Sequence, residues 1–362
     1  EMLTRDWSSD VCSSDLSEAT EMAMKMARKY HIQKGTPKKY KIIARWQSYH
    51  GISNGALSLS GFAKRKAGYE PYMIDMGHIQ PAYSYRPWVE CDPKDYARIA
   101  AQALETEILA QGPETVAAFI AEPVVGMALC ACPAPEGYFE EIRRICDKYD
   151  VLLILDEVMC GCGRTGEHFY AYKHFNVKPD IVTMGKAISG GYFPLAAVAI
   201  SEKVYKGMEM NGGNFPPGYS WSGNPLGAAV NIAVMKYLKE HDLLNNCAKM
   251  GEYLKSEMEK KILPHPTVGE IRGKGLMVGA ELVKNKETKE CFPLSDGYAG
   301  QVQDEALVNN NIIIEASQGC NKGQSGDGIV ISPAFIVTKE DIDMIVDKVD
   351  KALTAVEKKN GF

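Results

Sequence analysis

The sequence predicts an α/β protein: a mostly parallel central sheet flanked by helices, followed by a smaller C-terminal α+β domain. Three observations carry this. Three short apolar runs, residues 116–121, 151–155 and 181–184, end at or just before Glu122, Asp156 and Lys186. Those three residues are separated by 34 and 30 positions (156 − 122 and 186 − 156), the length of a strand, a crossover and the next parallel strand. The runs lack polar alternation, as strands covered on both faces do.

The elements follow in order. Residues 1–16 show neither helical nor strand periodicity and read as a non-native leader. From Ser17, a good N-cap, apolar residues recur at helical spacing: Ala19, Met22, Ala23, Met26, Ala27 and Tyr30. Residues 41–44 read as a short strand. Residues 68–92, rich in Tyr, Pro and Gly, read as an irregular excursion, and 93–110 as a helix. An amphipathic helix over 137–149 supplies the first crossover. Residues 207–218 read as a loop, and Asn224 with Pro225 opens a helix to about Lys239. A second long helix spans about 243–261, and the remainder alternates strands and helices. The expected division is 1–16 leader, 17–240 large domain and 241–362 small domain.

Composition narrows the function. The chain has 362 residues, 24% charged, with a net charge of −5, which gives no electrostatic case for nucleic acid or an anionic membrane. No apolar run approaches the roughly 18 residues of a membrane helix. Ten cysteines scattered through core-like segments suit a reducing, cytoplasmic location. The pairs Cys130/Cys132 and Cys160/Cys162 are spaced more tightly than the usual zinc loops, so small half-buried thiols near a pocket are expected and no metal.

In open α/β sheets, ligands bind beyond the carboxyl ends of the strands, where Glu122, Asp156 and Lys186 fall. A lysine at one strand end and an acid at its neighbour suit a pyridoxal phosphate (PLP) enzyme. The amine joins the cofactor aldehyde as a Schiff base, and the acid keeps the ring nitrogen protonated. Spacing alone leaves open that these are solvated or salt-bridged residues. Gly161, Gly163 and Gly166 formally make GxGxxG, but they follow the strand end by five residues, and no acid ends a second strand about 20 positions on.

Residues 153–166 (LILDEVMCGCGRTG) and 179–198 (PDIVTMGKAISGGYFPLAAV) resemble the central signature of class III aminotransferases. The resemblance extends from Ser17 to the C-terminus. It implies the fold-type-I PLP transferase fold, with Lys186 as the Schiff-base lysine and Asp156 at the pyridine nitrogen. Val158 would pack on one ring face and Tyr49, in SYHG, on the other. Residues 17–28 resemble the helix whose N-terminal amides receive the phosphate, here at Ser17, Glu18 and Ala19. Ser220 in PGYSWSGNP has the position of a Ser or Thr reaching the phosphate of a second subunit, which implies a homodimer. Glu122, in AEPVVG, matches an acidic position near the cofactor edge. His50, beside Tyr49, reads as a supporting rather than a catalytic residue, and Arg164 as either a carboxylate binder or a loop tie.

The chain departs from the family in two places. Asp15 and Leu16 stand where the family has Gly or Ser-Gly; an acid repels a phosphate, and Leu lacks the backbone freedom of Gly. The family's preceding segment is also absent, so the chain reads as N-terminally truncated. Second, many members bind a substrate carboxylate with a late Arg, whereas no Arg follows Arg272 here; Lys322 is a poorer substitute. The expected reaction is therefore amino transfer from a primary amine or ω-amino acid to an oxo acid such as pyruvate. A PLP epimerase or aminomutase, a cofactor-free Schiff-base lyase using Lys186, and an inactive fragment are the rival readings.

Overall fold

The computed structural model describes residues 7–13, 16–215 and 217–362. Seven strands form the large sheet: β1 (Trp7–Ser13), β2 (Lys41–Arg45), β3 (Gly77–Ile79), β4 (Val116–Ala121), β5 (Leu152–Asp156), β6 (Ile181–Met184) and β7 (Ala196–Ser201). Their spatial order is β1-β7-β6-β5-β4-β2-β3. The pairs β2/β3, β2/β4, β4/β5 and β5/β6 are parallel, while β6/β7 and β7/β1 are antiparallel.

The three apolar runs form the middle of this sheet, and their lack of alternation has a direct cause. Successive side chains point to opposite faces. Phe119, Ala121, Leu153 and Leu155 pack into one core with helices α2 (Tyr96–Gln111) and α3 (Tyr138–Tyr149). Ala118, Ile120, Leu152 and Ile154 pack into another with α1 (Leu16–Gln33). Both faces are covered, so nearly every position is apolar; Asp156 at the end of β5 and Thr183 in β6 are the buried polar exceptions. Leu153→Ala is expected to cost about 2–5 kcal/mol, because a fully buried side chain leaves a cavity that neighbouring elements fill only partly. A urea midpoint close to the parent's would contradict this.

After α4 (Pro225–Glu240) and α5 (Leu243–Lys261), a second sheet of four antiparallel strands follows: β8 (Val268–Lys274), β9 (Met277–Leu282), β10 (Glu315–Asn321) and β11 (Ser325–Ile331). Their order is β8-β9-β11-β10. Helices α5, α6 (Tyr298–Val308) and α7 (Lys339–Asn360) cover it. A smaller cluster with Tyr83, Val124, Cys130, Cys160, Met277 and Cys320 joins the two sheets.

Four local expectations are corrected. Trp7–Ser13 lacks strand periodicity, yet it forms an antiparallel edge strand against Ala196–Ser201; backbone pairing at an edge asks little of side-chain pattern. Positions 1–6, 14 and 15 of the expected leader lie outside the described residues. Ser17 is not an N-cap but sits inside the first turn of a helix starting at Leu16. The excursion 68–92 contains β3, a three-residue strand too short to show a period. Helix Glu202–Glu209 takes the start of the expected 207–218 loop. No helix among the described residues is long and apolar enough to cross a membrane.

Candidate active site

Strand ends β4, β5 and β6 open on a cavity of about 390 Å³ lined by Tyr49, Glu122, Asp156, Val158 and Lys186. That volume falls in the usual range for small-molecule sites, roughly 300–1,000 Å³. These five were named from sequence. Phe62, Arg65, Met127, Met159 and Glu315 complete the lining.

Asp156 ends β5 and is 3% exposed. Its Oδ2 lies 2.8 Å from His50 Nδ1, and its Oδ1 accepts from the Val158 N–H at 3.1 Å. His50 is fully buried. Its backbone N–H donates to Ser60 Oγ at 2.8 Å, and its Nε2 has no partner among the described residues. With Nδ1 protonated, His50 thus orients the carboxylate from behind, leaving further lone pairs of Asp156 for the cavity.

Glu122 Oε1 accepts from the Tyr49 N–H at 3.1 Å and Oε2 from the Gly126 N–H at 2.8 Å. Burial pushes its pKa up; the His50 ring opposes this, and nearby Asp156 adds to it. Tyr49 is held by this bond on one side, and the Arg65 guanidinium stands over its ring at 5.9 Å.

Lys186 follows Gly185 just beyond β6, with a left-handed backbone (φ 48°). The side chain is exposed because the cavity is open to solvent. Enough protein surrounds its ammonium for burial to lower the pKa, against the pull of Asp156 and then Glu122.

At the start of α1, Ser17 Oγ accepts from the Ile52 N–H at 3.0 Å. Gly51 (φ 131°) lies so close that a Cβ there would fall 2.8 Å from this Oγ and 2.9 Å from Ala56 Cβ. The helix N-terminus and the 50–52 loop therefore meet closely, which only Gly permits. Glu18 is half-buried, and the Ala19 side chain faces the core. Asp15 lies outside the described residues. Ser220 is exposed and does not line the cavity.

Arg164 does not line the cavity. Its Nη1 donates to the Leu276 and Pro333 carbonyls at 3.1 and 2.5 Å, and its guanidinium lies 4.4 Å from the Phe335 ring centre, so it ties a loop to the small domain. Lys322 stands over Trp88 at 5.8 Å and is also outside the lining. Cys130 Sγ lies 3.6 Å from Cys320 Sγ. Among the described residues, Glu167, His168 and His174 are close enough to share an ion. However, His174 Nδ1 and Glu167 Oε2 are 4.0 Å apart, beyond the roughly 3.4 Å that bonds of about 2.1 Å set in a tetrahedral zinc site. The charge of Lys274 also bears on His174.

Arg65 and Glu315 were missed from sequence. Arg65 comes from a short helix before the irregular excursion, with no local pattern to mark it. Glu315 had a signal: three isoleucines followed by an acid, like the runs before Glu122 and Asp156.

A model of the family described as aminotransferase class-III matches residues 11–353. The chain is 37% identical over 354 residues to the taurine–pyruvate aminotransferase of Bilophila wadsworthia, covering 97% of this chain and 76% of that protein. An (S)-enantioselective omega-transaminase from Thermomicrobium roseum superposes with a TM-score of 0.88 at 34% identity, over 96% of this chain and 75% of that one. An amine transaminase from an uncultivated Pseudomonas species, solved in its PLP-bound form, superposes with a TM-score of 0.89 at 30% identity, over 97% and 78%.

Proposed function

Because the chain belongs to the class III aminotransferases, we propose that it moves an amino group from a primary amine or ω-amino acid to an oxo acid such as pyruvate, with pyridoxal 5′-phosphate held by Lys186. The observation that carries this is the meeting of Lys186 and Asp156 on one cavity at adjacent parallel strand ends. When bound, the cofactor supplies an aldehyde carbon that joins amines and a ring that accepts an electron pair.

The residues present fit that group. Lys186 Nζ is the amine to hold the aldehyde, and when free it takes up and returns a proton. Asp156, fixed by His50 and the Val158 N–H, keeps a proton on the ring nitrogen. Val158 and Tyr49 supply surfaces for the two ring faces. The amides of Ser17, Glu18 and Ala19, beside the Gly51 close approach, receive the phosphate. Glu122 braces Tyr49 from behind through its backbone. Arg65, in the wall and without an ion pair among the described residues, suits the carboxylate of the oxo acid.

Ser220 serves a second copy in this reading, and one surface supports such a homodimer. Helix α4 buries only Gly227 and Leu238, while Leu226, Ile232 and nearby Trp221 and Tyr192 stay exposed. Exposed apolar residues of that kind, where they gather, are commonly an interface.

The test is stoichiometry. With PLP and a reactive amine, pyruvate should be consumed one for one with the amine. Amine conversion without oxo-acid consumption would instead favour an epimerase or mutase.

The lysine sets a pH dependence. It joins the aldehyde only as the free base. Burial lowers its pKa from the ordinary 10.5, while Asp156 and Glu122 hold it up by stabilising the ammonium. The rate of cofactor attachment should therefore rise with pH, with a midpoint below 10.5. Glu122→Gln removes a stabilising negative charge and should move that midpoint lower. An unchanged or higher midpoint, read from attachment kinetics, would contradict this.

A further inference from the structure

Three carboxylates line the cavity, and two already have partners. Asp156 is engaged by His50 and the Val158 N–H, and Glu122 by the Tyr49 and Gly126 N–H groups. The side chain of the third, Glu315, takes no hydrogen bond and no ion pair from any described residue; it stands exposed in the wall, and its charge bears on Lys186.

Its position is built rather than loose. Glu315 opens β10, and its backbone is registered against Val330 of β11. It therefore reaches the cavity from the small domain's sheet, whereas Lys186 and Asp156 reach it from the large domain's sheet. A donor whose amine reacts at Lys186 and which extends towards the small domain meets a carboxylate there. Lys322, the late cation considered from sequence, does not offset that charge in the wall.

We propose that Glu315 is the specificity-determining residue for the amine donor, accepting a hydrogen bond from the second ammonium of a terminal diamine. This rests on the aminotransferase reading above and selects within it. A carboxylate attracts a distal ammonium and repels a distal carboxylate, so diamines are favoured over ω-amino acids. The two half-reactions then use different charges of one pocket: Glu315 for the cationic donor and Arg65 for the anionic acceptor.

The test compares cadaverine, pentylamine and 5-aminopentanoate as donors to pyruvate, using the PLP-loaded full chain and its Glu315→Gln and Glu315→Arg variants. The ratio of kcat/KM for cadaverine to that for pentylamine should fall by about ten-fold in Glu315→Gln. That is the lower end for a hydrogen bond to a charged group, because the site is open to water. Glu315→Arg should turn the preference towards 5-aminopentanoate. A second readout needs no turnover: tetramethylated cadaverine, which cannot join the aldehyde, should bind more tightly by calorimetry than dimethylpentylamine, and Glu315→Gln should erase the difference. Ratios unchanged by Glu315→Gln, or a parent that prefers 5-aminopentanoate, overturn the proposal. If no amine drives oxo-acid consumption, the aminotransferase reading fails, and the calorimetric comparison still decides the role of Glu315.

Discussion

Lys186→Ala is expected to lose the visible absorption band of protein-held PLP and to lower amino transfer by at least about 10³-fold. The change removes two functions at once. The side chain is the amine proposed to hold the aldehyde, and it is the nearest candidate to carry the proton between substrate and cofactor. Positioned acid–base catalysis alone contributes roughly 10²–10⁴-fold, and loss of the covalent attachment adds to that. The fold should survive, since Lys186 is exposed to the cavity and belongs to none of the hydrophobic cores. Near-parental thermal unfolding would verify that. A small exogenous amine should restore part of the rate by standing in for the missing Nζ. Borohydride reduction of the loaded parent, followed by peptide mapping, gives an independent check. A cofactor tag on any lysine other than Lys186 would sink the assignment.

The sheet centre was legible in the sequence because its physics is local. Strands β4, β5 and β6 are buried on both faces, so each appears as a run without polar alternation, interrupted only by Thr183 in β6, and its end is marked by the first charged residue at or after it. Glu122, Asp156 and Lys186 could be placed beyond strand ends for that reason. The edges were less legible. β3 has three residues, and β1 is held by backbone bonds to β7, so neither leaves a periodic trace. The cavity's other walls are a tertiary product. His50 meets Asp156 across 106 positions, and Glu315 arrives from a different sheet. A pattern reading can nominate Glu315 as an acid after an apolar run. Only the packing of the small domain against the strand ends brings it to the same cavity as Lys186.

Asp156→Asn should be the most informative single change, because it removes charge with almost no change of shape. The amide oxygen can still accept from the Val158 N–H, and the amide NH2 can donate to His50 Nδ1 once the ring carries its proton on Nε2, so both buried contacts, at 3.1 and 2.8 Å, can be kept by a change of tautomer. Cofactor attachment at Lys186 should persist, since that step uses the lysine and the phosphate seat. What is lost is the anion proposed to keep the ring nitrogen protonated, and with it the ring's capacity to accept electrons. The rate of amino transfer should fall by roughly 10²–10³-fold, the scale of removing one preorganised electrostatic group from an active site. Asp156→Ala should behave differently. It leaves His50 Nδ1 without its carboxylate, in a ring whose Nε2 already lacks a partner among the described residues. That variant should also lose about 1–3 kcal/mol of stability, the usual cost of stranding a buried polar group. Single-turnover absorbance with a reactive amine separates the cases. A retained band that bleaches slowly supports the ring-nitrogen role. If Asp156→Asn bleaches within about three-fold of the parental rate, far less than such a charge contributes, Asp156 acts only through His50 and the local fold.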